Sequence, residues 1–122
     1  MKPTRILVVD NEDDQIRLMH IILTKFGYDV STVSSAEAAL KEINSENYQL
    51  ILTDLIMPEM EGPELCERIK RIKPNTKVYA ISGHVELYKN NLAQSGFDGI
   101  IKKPIHMNSL KEAIDSALSR AE

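Results

Sequence analysis

Five times along these 122 residues a short apolar run is followed by a longer helical pattern, and nothing else restricts the fold so strongly. Arg5-Ile6-Leu7-Val8-Val9-Asp10 is nearly continuous in apolar residues and reads as a first strand buried on both faces. Tyr28 to Val33 alternates more and carries Asp29, Ser31 and Thr32, which suits an edge strand. Leu50 to Asp54, Lys77 to Ser82 and Gly99 to Lys102 supply the third, fourth and fifth strands. The first helix runs from Asp13 to Phe26 and is ended by Gly27; the second opens on a capping box, Ser34-Ser35-Ala36-Glu37, and reaches about Ile43. Pro63 opens a third, with the stripe Leu65, Ile69 and Ile72. A fourth, about Glu86 to Ser95, is weak: Asn90 and Asn91 interrupt it, and only Leu87, Tyr88 and Leu92 are large and at least partly apolar. Asn108 or Ser109 caps a fifth, whose stripe is Leu110, Ala113, Ile114, Ala117 and Leu118.

Five βα units of this length predict an α/β fold: an open, doubly wound, five-stranded parallel sheet with five helices, in one domain over residues 1–122. Right-handed crossovers and the edge character of the second strand give the order 2-1-3-4-5. In such sheets the functional crevice lies beyond the carboxyl ends of the strands, where the order reverses between strands one and three. Strand one finishes in Asp10-Asn11-Glu12, strand three in Asp54, strand four in Ser82 and strand five in Lys102-Lys103-Pro104. A charge at the tip of an apolar strand is costly unless something pairs with it. One such aspartate is ordinarily a loop cap; two carboxylates, a hydroxyl and an ammonium on one rim are harder to dismiss.

Composition removes several alternatives. The net charge of −3 leaves no footprint for nucleic acid, and Lys70, Arg71, Lys73 and Lys77 read as the solvated end of a helix and its loop. A single cysteine, Cys66, permits no intrachain disulfide and no cysteine-based metal site; beside Leu65 it reads as a buried structural thiol. Only four apolar residues precede Asp10, too few for a signal peptide, and no run approaches a membrane span, so a cytoplasmic location is expected.

The rim residues suit one chemistry. Asp10 and Asp54, on adjacent strands, make a hard oxygen site of the type Mg2+ accepts, with waters completing the octahedron. A carboxylate beside such an ion, with a lysine opposite, can attack a phosphoryl group and hold it as an acyl phosphate. Charge on the transferring oxygens would be met by the metal, by Lys103 and by the Ser82 hydroxyl.

With Ile6-Leu7-Val8-Val9-Asp10, the run Asp54-Leu55-Ile56-Met57-Pro58-Glu59-Met60-Glu61-Gly62 and Lys103-Pro104 in place, the chain resembles the receiver domain of two-component response regulators across essentially its whole length. The resemblance implies a flavodoxin-like fold and a signalling switch rather than an enzyme on an outside substrate. Asp54 is then the phosphoacceptor, taking a phosphoryl group from a sensor histidine kinase or histidine phosphotransfer protein. Asp10 helps to hold Mg2+, which also takes the backbone carbonyl of Ile56. Ser82 supplies the hydroxyl that turns to the phosphate, Gly83 is the small residue after it, Lys103 pairs with the phosphoryl oxygens, and the Lys103–Pro104 peptide is cis. Output goes to a downstream protein or domain through the face of the fourth helix, fifth strand and fifth helix, without direct contact to nucleic acid or membrane.

Three positions depart from the family. Asn11 stands where a second acid is usually a direct metal ligand; its amide oxygen can still bind Mg2+ but brings no charge, which predicts a more weakly held ion. Ile100 replaces the usual aromatic ring, so any switching must use another coupling, and Ser82 replaces the commoner threonine. His84 is either an exposed loop histidine or a residue that tunes the lifetime of the phosphoryl group; His20 is expected to be packed on the first helix and His106 to lie in a loop. Two rival functions remain distinct. An aspartate-nucleophile phosphohydrolase needs a second acid two residues after the nucleophile, where this chain has Ile56. A phosphorylation-independent receiver, acting purely as a protein interaction module, draws support from Asn11 and Ile100.

Overall fold

A computed structural model describes residues 3–83 and 95–118. In chain order these form β1 (Arg5–Val9), α1 (Asp13–Lys25), β2 (Asp29–Val33), α2 (Ala36–Ser45), β3 (Leu50–Asp54), α3 (Gly62–Ile72), β4 (Lys77–Ser82), β5 (Gly99–Lys102) and α4 (Met107–Leu118). The five strands make one parallel sheet in the order β2-β1-β3-β4-β5, with the expected edge strand at one end. Four helices stand among the described residues where five were expected over the whole chain. The expected fourth, about Glu86 to Ser95, falls outside them except for Ser95, as does His84. No helix among the described residues is long and apolar enough to cross a membrane.

Alternation along the strands divides the core into two layers. Ile6 and Val8 of β1, Leu50 and Leu52 of β3 and Ile81 of β4 face Met19 and Leu23 of α1 and Leu110 and Ile114 of α4. Leu7, Val9 and Ile51 turn the other way, onto Ala39 and Ile43 of α2 and Leu65, Cys66 and Ile69 of α3. Most of these side chains are fully buried, each contributing about 1.5–3 kcal/mol of apolar transfer where it is a Val, Leu or Ile. Gly27, at φ +98°, ends α1 in the left-handed conformation that glycine adopts without a Cβ penalty, and its N–H returns to the Thr24 carbonyl at 3.0 Å.

The amino-terminal end of the sheet is closed by polar ties. Arg5 pairs with Glu46 at 2.8 Å while its guanidinium lies 4.6 Å from the Tyr48 ring centroid. Lys70 donates to the Thr76 carbonyl at 2.8 Å and to Asp98 Oδ2 at 2.7 Å, and the same oxygen accepts the Val78 N–H at 2.9 Å. The cluster expected to be merely solvated is therefore partly structural: Lys70 joins α3 to the starts of β4 and β5, and Lys73 donates to Asn47 at 2.6 Å.

Several boundaries move. β1 ends at Val9, leaving Asp10 just beyond the ladder. Ser35, not Ser34, caps α2, accepting from the Ala38 N–H at 3.1 Å, so the residue at the reciprocal position is an alanine and the expected box does not form. α4 begins before Asn108 and Ser109, its first turn closed by the Leu110 N–H on the His106 carbonyl at 2.9 Å. His106 sits in the loop as expected, whereas His20 is exposed: it lies on the outer side of α1 with Leu18 and Ile21, and Met19 takes the inward place.

Candidate functional site

The parallel register brings the strand ends together. Val9 of β1 lies opposite Thr53 of β3, so Asp10 and Asp54 follow side by side; Asp54 lies opposite Ile81, and Ser82 opposite Lys102. Asp10 N donates to the Val33 carbonyl at 3.2 Å, and Asp10 Oδ1 accepts the Glu12 N–H at 3.0 Å, fastening the turn that leaves β1. Asp10 is 3% exposed. Burial pushes its carboxyl above the usual range; the Glu12 N–H opposes this, the nearby charge of Asp54 adds to it, and that of Lys103 works against it.

At the tip of β3, Asp54 Oδ1 accepts the Leu55 N–H at 2.8 Å, and the buried Thr53 hydroxyl donates to the Asp54 carbonyl at 3.0 Å. The chain then returns to open α3, where the Gly62 N–H donates to the Leu55 carbonyl at 2.8 Å. A Cβ on Gly62 would stand 2.8 Å from the Asp54 carbonyl oxygen and 2.9 Å from Leu55 Cα, closer than such contacts allow. Glycine is required there by backbone against backbone.

Across the rim, the Lys103 N–H donates to the Ser82 carbonyl at 3.0 Å, and the Lys103–Pro104 peptide is cis as expected. Lys103 Nζ lies 4.0 Å from Asp54 Oδ1, with the carboxylate 13% and the lysine 26% exposed, so the attraction is only partly screened. Ser82 is buried. A Cβ at Gly83 would meet only Lys103 Cβ, at 3.8 Å, an ordinary contact.

A cleft of about 360 Å³ is lined by Asn11, Glu12, Asp54, Ile56, Ser82, Gly83 and Lys103. It thus gathers Asp54, Ser82, Lys103, Asn11 and Ile56, and Asp10, beside Asp54 at the end of β1, is almost wholly buried. Sequence reasoning missed three groups: the backbone amides of Glu12 and Leu55, which carry no residue signature, and the Thr53 hydroxyl. Thr53 did leave a signal, as the one polar residue in the aliphatic part of β3. Among the described residues no three His, Cys, Asp or Glu side chains are grouped to hold a metal. A cation here would rest on two carboxylates, neutral oxygens and water. That donor set fits Mg2+, and a cation would offset the cost of ionising buried Asp10.

Comparison with known proteins identifies the family. The family described as "Response regulator receiver domain" matches residues 6–115. The chain belongs to that family: it is a receiver domain of two-component response regulators, whose general behaviour is phosphorylation and partner control. It is 32% identical over 121 residues to the transcriptional regulatory protein GlrR of Escherichia coli, covering 98% of this chain but 27% of that protein. It is 32% identical over 118 residues to the response regulator receiver protein CpdR of Brucella abortus, covering 96% of this chain and 98% of that one. The response regulator TrrA of Thermotoga maritima, solved in complex with Mg2+-BeF, superimposes with a TM-score of 0.87 at 31% identity, over 94% of this chain and 99% of that one.

Proposed function

We propose that this domain, taken as one unit over residues 1–122, accepts a phosphoryl group on Asp54 from a phosphohistidine donor and relays that state to a protein partner. The observation that carries the reading is the pairing of the shielded Asp54 carboxylate with Lys103 at 4.0 Å, in a cleft that also holds the edge of Ser82. An Asp54 carboxylate oxygen attacks phosphorus as the bond from phosphorus to the donor's nitrogen breaks, and the imidazole leaves. Lys103 and the Ser82 hydroxyl take up charge on the equatorial phosphoryl oxygens. Bound Mg2+, held by Asp10, Asn11, Asp54 and the Ile56 carbonyl, would supply further charge neutralisation; the Mg2+-BeF complex of TrrA supports that ion for this family.

The added group brings about −1.5 to −2 charges at neutral pH. Output passes through the surface of β5 and α4, the described part of the expected face, to a downstream protein or domain in the cytoplasm. Asn11, lining the cleft where the family usually has an acid, also supports a second reading, a receiver that works by contact without phosphorylation. Incubation with a small acyl phosphate and Mg2+, followed by mass measurement of wild type and Asp54→Ala, separates the two. One phosphoryl adduct, absent from the variant, is the expected result; no adduct at saturating Mg2+ favours the contact module.

A further inference from the structure

Thr53 interrupts an aliphatic strand one residue before the acceptor and is fully buried. Valine would fill the same space and form strand equally well, without a hydroxyl whose burial is costly unless bonded. That hydroxyl is spent on the peptide between Asp54 and Leu55: Thr53 Oγ1 donates to its carbonyl at 3.0 Å, and its N–H donates to Asp54 Oδ1 at 2.8 Å. The following peptide is held too, by the Gly62 N–H on the Leu55 carbonyl at 2.8 Å. Two successive peptide planes are therefore fixed between the acceptor carboxylate and Ile56.

We propose that Thr53 is a positioning residue for phosphoryl acceptance. Its hydroxyl sets the rotation of the Asp54–Leu55 peptide, which keeps the Leu55 N–H on Oδ1 and leaves Oδ2 as the oxygen that takes the phosphoryl group. The inference rests on Asp54 being the acceptor. With the hydroxyl absent, that peptide can rock, the Leu55 N–H is shared or lost, and the carboxylate meets the donor in more than one orientation.

The test compares the wild-type chain with Thr53→Val and Thr53→Ser. The initial rate of adduct formation is measured with a small acyl phosphate at saturating Mg2+, and Leu55 amide exchange by NMR in metal-free protein. Thr53→Val should slow phosphorylation by about three- to tenfold, the scale of one hydrogen bond, and speed Leu55 exchange relative to the amides of β3. Thr53→Ser should restore both. A purely structural threonine would lower the thermal midpoint yet leave Leu55 exchange in step with its neighbours and the rate unchanged; that outcome, or failure of serine to restore, overturns the proposal. Should the valine variant not fold, Thr53→Ala against Thr53→Ser carries the same comparison. If wild type takes no phosphoryl group, the reading of Asp54 fails instead, while Leu55 exchange still reports on the tie.

Discussion

The carboxyl of Asp10 is held between opposed influences: burial and the charge of Asp54 favour its neutral form, while the Glu12 N–H and Lys103 favour the ionised one. The first pair wins, so the folded chain binds this proton more tightly than the unfolded chain does. Stability from this group is therefore intact below its ordinary value of 3.8 and is lost as pH rises through the higher folded value. Asp10→Asn keeps an oxygen for the Glu12 N–H and removes the charge. In chelator at neutral pH it should raise the thermal midpoint by on the order of a few °C, a gain that fades towards pH 3.8; an unchanged or lower midpoint at neutral pH counts against this account. Added Mg2+ should then stabilise wild type more than the variant. Asn11 lines the cleft without charge, so Asn11→Asp should tighten Mg2+ by at least about fivefold, the effect of about 1 kcal/mol from one more screened charge contact. Calorimetric titration decides it, and equal or tighter binding by wild type refutes it. The residue types of this site were readable in the sequence because charges at strand tips are rare and costly. The amides of Glu12 and Leu55 were not, since every residue but proline owns an N–H and only the turn decides where it points.

Between β3 and α3 the returning backbone packs tightly against the tip of β3. Gly62 packs on the Asp54–Leu55 backbone and Gly83 lines the cleft, and their surroundings differ: backbone atoms within 3.0 Å of one Cβ position, a single side-chain carbon at 3.8 Å from the other. Gly62→Ala should cost about 1–3 kcal/mol in chemical denaturation and slow phosphorylation, because relief requires moving the Asp54 carbonyl. Gly83→Ala should cost within about 0.5 kcal/mol, as an unremarkable surface change does. Similar losses for the two would mean that the close approach at Gly62 relaxes freely. Sequence reading located the elements well and their caps poorly. Strands such as Leu50 to Asp54 announce themselves by uninterrupted apolar residues, whereas Ser34 and Ser35, or His106 and Asn108, differ by small backbone rotations that neighbouring packing decides.

Taken whole, the sheet has one chemically busy end and one mechanically tied end. The order β2-β1-β3-β4-β5 was legible because buried parallel strands and an edge strand differ in pattern, and that order alone placed Asp10 beside Asp54. Topology fixes which strand ends are neighbours but not how far a lysine reaches, so the 4.0 Å approach of Lys103 had to come from packing. The buried thiol of Cys66 has a practical consequence at this scale. It is fully enclosed in the layer under α2 and α3, and burial pushes its pKa up to about 12. As the chain's sole cysteine, it should resist a thiol-reactive dye in the native state and react only when that layer opens. Dye uptake should therefore follow global unfolding across a denaturant series, and uptake at the rate of a free peptide thiol in buffer would show the layer to be loose. A cysteine introduced on the exposed face of β5 or α4 could then be labelled alone, giving a single reporter for arrival of the partner with the native thiol kept silent.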